Sequence, residues 1–190
     1  MVRRFFAVLL LATFLPLTWL GMQIVHEFGH VIAAWATGGR ILRVVLHPLV
    51  ISQTELAWNP HPLLVAWAGP LIGSVVPVAI WALVRLLKLP GVTLFGFFSG
   101  FCLVANGVYL GYGSFHGIGD AGDLVADGSP QWLLVVFGLV TVALGSLQWH
   151  ALGPRFGYRD ANDAEIRRAA LASAALLAAV IILELALCPR

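Results

Sequence analysis

The stretch TWLGMQIVHEFGHVIAAWA, residues 18–36, is apolar at almost every position except His26, Glu27 and His30. Upstream it continues to Phe5 without a charge, so residues 5–36 read as one long helix, with Pro16 as the expected bend. That run exceeds the roughly 20 residues needed to cross a hydrocarbon core about 30 Å thick, yet it is too short for a helical hairpin. At membrane depth each ionisable group costs about 2.5–3.5 kcal/mol on insertion scales. Three of them between positions 26 and 30 therefore need a compensating partner, and a bound cation is the simplest one.

The rest of the chain agrees with a membrane setting. Of 190 residues 60% are hydrophobic and only 11% charged, with a mean hydropathy of +0.92; soluble domains run about 45–50% apolar and about 25% charged. Further spanning runs lie at 63–87, 92–112, 131–152 and 168–187, which predicts five transmembrane helices in one all-α, polytopic domain covering 1–190. The basic start followed by FFAVLLLATFL resembles a signal peptide, but no small-x-small cleavage site follows, and the segment is expected to stay as the start of the catalytic helix, 5–37. A net charge of +2 gives no surface for nucleic acid. The two cysteines, Cys102 and Cys188, make neither a disulfide framework nor a metal cluster.

Gly38 and Gly39 stop the first helix. The β-branched segment 41–58 that follows, broken by Pro48, has strand character, and its backbone groups require pairing as a hairpin packed on protein or at the interface. The segment GSFHGIGDAGDLVADGSP, 113–130, is Gly-rich and acidic, whereas 153–167 is a basic, polar loop. With five spans, Arg3, Arg4, Arg85, Lys88, Arg155, Arg159, Arg167 and Arg168 fall on the N-terminal side, against Arg40, Arg43 and Arg190 on the other. The N-terminus is then cytoplasmic, in the cell membrane. His26–His30 and the acidic loop share the opposite side.

His26 and His30, at i and i+4, share a helix face and can reach one ion, while Glu27 beside them is placed to deprotonate a water. This is the H-E-x-x-H arrangement of zinc peptidases. Zn2+ in such a site takes a third protein ligand, for which the acidic loop offers Asp120, Asp123 and Asp127, with His116 as a further candidate. Asp120 and Asp123 also suit the start of a short helix, and Asp127 a turn. Asn106, Tyr109, Tyr112 and His116 are candidate oxyanion or substrate contacts, and Gly29 would let a neighbouring backbone approach the histidines. His47, His61 and His150 read as solvated interface residues.

HEFGH in the first spanning helix, AGPLIG at Ala68–Gly73 opening the second, and a Gly/Asp segment after the third together resemble the site-2 protease family of intramembrane zinc metalloproteases. The resemblance implies an aspartate ligand in a segment of the form Leu-Asp-Gly-Gly. Laying Asp120-Ala121-Gly122 on Asp-Gly-Gly makes Asp120 that ligand, and a shifted alignment makes it Asp123. It also implies a compact variant without a PDZ domain, and cleavage of peptide bonds in or near transmembrane segments of a protein or peptide substrate within the lipid bilayer. Members are expected to hold zinc nearer the cytosolic face, the reverse of the charge count. The alternatives are a catalytically silent relative that binds transmembrane partners and a metal-handling membrane protein. The scarcity of ionisable residues on the later spans disfavours the last.

Overall fold

A computed structural model describes residues 2–156 and 161–188. Arg159 and Arg190 of the charge count lie outside them. The elements run α1 (Val2–Ala36), β1 (Arg40–Val45), β2 (Gln53–Trp58), α2 (Pro62–Leu86), α3 (Val92–Gly113), α4 (Gly119–Ala126), α5 (Gln131–Phe156) and α6 (Asp163–Leu187). All of these helices except α4 are long and apolar enough to cross a membrane, as the five apolar runs predict. At 1.5 Å per residue the 35-residue α1 is about 52 Å long, so it reaches well beyond a core of about 30 Å. It remains helical through Pro16.

The helices lie side by side in the order α6, α1, α2, α3, α5, with α1 packed chiefly on α2 and α6 and meeting α3 only briefly. Helices α1 and α6 run parallel. Arg3 pairs with Asp163 at one end (3.6 Å), and Thr13 donates to Ser173 at mid-height. At the far end the Cys188 thiol accepts from the Leu46 N–H.

The first strand pairs antiparallel with the second, Arg43 opposite Glu55, and their exposed side chains form a bidentate pair at 2.6 and 2.8 Å. The expected hairpin over 41–58 is thus present as the 40–45 and 53–58 strands. Both ends of the expected 153–167 loop differ. α5 runs on to Phe156, and α6 already starts at Asp163, because Asn162 accepts the Glu165 N–H while the Glu165 carboxylate accepts the Asn162 N–H. This reciprocal cap is encoded in N-x-x-E and extends the helix into charged sequence ahead of the apolar run.

Tight helix contact places the site. A Cβ on Gly29 would lie 2.4 Å from the Ala68 carbonyl, and one on Gly69 would lie 2.2 Å from His30 Nε2. The glycine in HEFGH and the glycine in AGP therefore let α2 press its backbone against the histidine face of α1.

Candidate metal centre

His26, Glu27 and His30 are buried, at 7%, 3% and 6% exposure, on the face of α1 turned toward α2, α3 and the hairpin. The His26 and His30 Nε2 atoms are 3.1 Å apart. Asp120 Oδ2 lies 2.8 Å from the first and 3.2 Å from the second. Among the described residues these three form the one group of His, Cys, Asp and Glu whose donor atoms all lie within 4.8 Å of one another.

The far side of each ring decides what this triangle can hold. His26 Nδ1 is 2.7 Å from Asn106 Oδ1, and His30 Nδ1 is 2.8 Å from the Val65 carbonyl. The Asn106 orientation is fixed because its Nδ2 donates to the Cys102 carbonyl at 2.8 Å. Both oxygens can only accept, so each neutral ring carries its proton on Nδ1 and presents a bare Nε2 lone pair. Two lone pairs and a carboxylate oxygen then face one another. A proton relieves one edge of that triangle; a divalent ion relieves all three. A tetrahedral ion with ligands at about 2.0–2.1 Å needs ligand–ligand edges of about 3.3 Å. The present edges of 2.8, 3.1 and 3.2 Å require an expansion of only a few tenths of an ångström. The second nitrogen of each ring is already held, as metal-ligating histidines require.

Asp120 arrives by local backbone design. Gly119 has φ +49°, in the left-handed region open to glycine, and turns the chain from the extended Ile118 into α4. Ala121 and Leu124, both fully buried, then anchor α4 against Leu110 and Leu134. Asp120 in the first turn is left facing α1, with its N–H donating to the Tyr109 hydroxyl at 3.0 Å.

The other loop candidates are not drawn in. Asp123 is exposed, and partial burial together with the charges of Asp120 and Asp127 pushes its carboxyl up. Asp127 is the C-cap of α4. The helix start expected to be capped by an aspartate has Ile118 as its N-cap, with no side-chain cap bond. His116 is exposed, donates to the Tyr112 carbonyl (3.1 Å) and stacks on the Tyr112 ring. Neither His116 nor Tyr112 lines the cavity at the centre, whereas Asp123 and Asp127 border it. Asn106 does line it, but both ends of its amide are engaged, with His26 and the Cys102 carbonyl.

Glu27 has a different set of partners. Its two carboxylate oxygens accept from Ser52 Oγ and Thr54 Oγ1, each at 2.7 Å, and Gln23 one turn earlier accepts the Ser52 N–H at 2.9 Å. Residues 52 and 54 share a face of an extended segment, so the hairpin clasps the glutamate between two hydroxyls. Sequence reasoning did not single out this pair; the signal present was a Ser-x-Thr repeat with the strand period of two. His47, expected to be solvated, is instead 6% exposed, and its Nδ1 accepts the Leu49 N–H. A cavity of about 850 Å³ connects Glu27, the His26–His30–Asp120 group, β2 and Tyr109.

Comparison with curated proteins and with solved structures returns no match. The model of the Peptidase M50B-like family matches residues 1–110, which span α1, the hairpin, α2 and most of α3. The family match and the five spanning helices together make the chain a multi-pass integral membrane protein that belongs to the Peptidase M50B-like family, the site-2 protease family its HEFGH and AGPLIG segments resemble.

Proposed function

We propose that the protein is a zinc-dependent intramembrane endopeptidase of the cell membrane, acting on transmembrane segments of protein or peptide substrates. The observation that carries the reading is the convergence of two bare imidazole Nε2 atoms and one carboxylate on a point beside a buried glutamate. His26, His30 and Asp120 hold the ion. When bound, it acts as a Lewis acid that lowers the pKa of a water to about 7 and polarises a carbonyl.

The remaining work falls to the chain's own groups. Glu27 takes the proton of the attacking water and returns it to the leaving amine. Ser52 and Thr54 fix its carboxylate plane so that the proton transfer starts from one orientation. Asn106 and the Val65 carbonyl fix the tautomer and tilt of the ligand rings. A substrate helix must unwind before cleavage, because its carbonyls are bonded internally. β2 borders the cavity and offers the edge not taken by β1, so an unwound peptide can add to it as a third strand. The apolar end of the cavity is walled by Trp19 and Met22 of α1 and Val108 of α3, where those helices barely meet; it gives a substrate helix a route from the lipid.

The test is made on detergent-purified protein. Wild type is expected to hold about one zinc per chain, the stoichiometry of a single three-ligand site, and to cleave a transmembrane peptide. Glu27→Gln should keep the zinc and lose cleavage; His26→Ala and Asp120→Ala should lose both, and Asp123→Ala neither. Zinc retained in His26→Ala would refute the site. Zinc binding without cleavage by wild type would point to a binding-only relative.

A further inference from the structure

Tyr109 is one turn beyond Asn106 on the same face of α3, and both residues border the histidine pair. The Tyr109 ring stands edge-on to His26, with centroids 5.8 Å apart at 74°. Its hydroxyl accepts the Asp120 N–H at 3.0 Å. A phenol that accepts one bond still has its own proton to give, and among the described residues that proton has no acceptor. The residue is half-buried and opens on the cavity that holds Glu27. Space has been made for the hydroxyl: a Cβ at Gly119 would lie 1.9 Å from it, so the left-handed glycine that turns Asp120 inward also admits the phenol.

We infer that Tyr109 is a catalytic residue whose O–H donates to the carbonyl oxygen of the scissile peptide bond as negative charge develops there, an inference that rests on the peptidase reading. Three features argue for this over simple packing. A phenylalanine would fill the same apolar space without bringing an oxygen to the cavity. The acceptor lone pair is used to tie down Asp120, which fixes the hydroxyl in place and directs its proton elsewhere. Finally, Asn106 is committed to His26 and the Ser52 and Thr54 hydroxyls to Glu27, so none of these three supplies the donor; the Gln23 amide nitrogen, also without a partner at the cavity, lies one turn before Glu27 on α1 rather than beside Asp120. A preorganised donor of this kind contributes about 10²–10³ in kcat.

Tyr109→Phe tests it in the full chain, with four readouts: zinc content, thermal melting, kcat and KM on a transmembrane peptide, and the Kd of a phosphinic peptide, whose tetrahedral anion mimics the charged oxygen. The expected result is full zinc content, near-native melting and little change in KM. In the same variant kcat should fall by about 10²–10³ and the phosphinic peptide should weaken by a comparable factor. Zinc loss in step with activity would overturn the inference, because Tyr109 would then serve only to position Asp120. Unchanged kcat and phosphinic affinity, in a chain whose wild type cleaves and binds, would overturn it while leaving the peptidase reading intact. Wild type that neither cleaves nor binds the phosphinic peptide would overturn both.

Discussion

Replacing Asn106 by leucine, close to it in size, tests the tautomer argument on which the metal centre depends. Asn106 is 1% exposed, and its Oδ1 is the acceptor 2.7 Å from His26 Nδ1. With metal bound, His26 must keep its proton on Nδ1, and leucine leaves that N–H buried without a partner, at a cost of about 1–3 kcal/mol. Without metal the ring escapes most of the penalty by moving its proton to Nε2, where Asp120 Oδ2 accepts it at 2.8 Å. The cost therefore appears as lost zinc affinity rather than as lost stability, and it corresponds to about 5–150-fold in the dissociation constant, in line with the ~10–100-fold typical of such ring partners. Competition with a chelator measures this directly, with thermal melting of the metal-free protein as the control. Asn106→Asp should retain zinc, because a carboxylate accepts the same N–H more strongly. Gly73 leaves room for either side chain, since a Cβ there would lie 3.0 Å from Asn106 Nδ2. Unchanged zinc affinity in Asn106→Leu, or equal loss in the leucine and aspartate variants, would refute the reasoning.

Gly69→Ala would drive a methyl group to 2.2 Å from His30 Nε2, and the ring cannot retreat without breaking its bond to the Val65 carbonyl; zinc content should fall while circular dichroism stays helical, with overpacking costing about 1–3 kcal/mol in melting experiments. In Ser52→Ala/Thr54→Val, Glu27 loses both hydroxyl partners. Zinc analysis should be unchanged, and steady-state assays should show kcat down by about tenfold or more of the ~10²–10⁴ that a general base supplies. Normal kcat in that variant would show that the hairpin does not orient the base. Single cysteines in a background free of Cys102 and Cys188 should react with a membrane-impermeant reagent at Arg4 and Arg167 from one face, and at His116 and Asp127 from the other. Labelling of Arg167 and His116 from the same face would remove the five-span arrangement.

The parts of this fold legible in the sequence were those set by local pattern. Apolar length located the spanning helices, Gly38-Gly39 and the β-branched run after them located the hairpin, and the i, i+4 spacing put His26 and His30 on one face. What stayed hidden depended on contacts across long stretches of chain. Asn106 meets His26 across 80 residues, so periodicity could mark it as a buried polar group but could not name its partner. The Ser52 and Thr54 hydroxyls resemble ordinary strand residues until the hairpin folds back on Glu27. The start of α6 was missed for a different reason. Asn162 and Glu165 carry a readable capping signal, but it precedes the apolar run that was used to set the boundary.

The choice between Asp120 and Asp123 illustrates why ligand geometry resists reading by spacing alone. Both lie on a short helix whose neighbouring side is pinned by Ala121 and Leu124, and one turn separates them by about 4.5 Å along the axis. Either could have reached α1 if the helix had begun one turn earlier or later. Gly119 fixes the phase, by supplying a positive φ immediately before Asp120; the Tyr109 hydroxyl takes the Asp120 N–H that the first turn of a helix leaves unbonded, without being needed to bring the carboxylate in. The proposed third ligand is thus selected chiefly by the residue before it. Gly119 also leaves the space beside the metal centre that the Tyr109 hydroxyl occupies, so the feature that brings the carboxylate in also admits a phenolic donor to its edge.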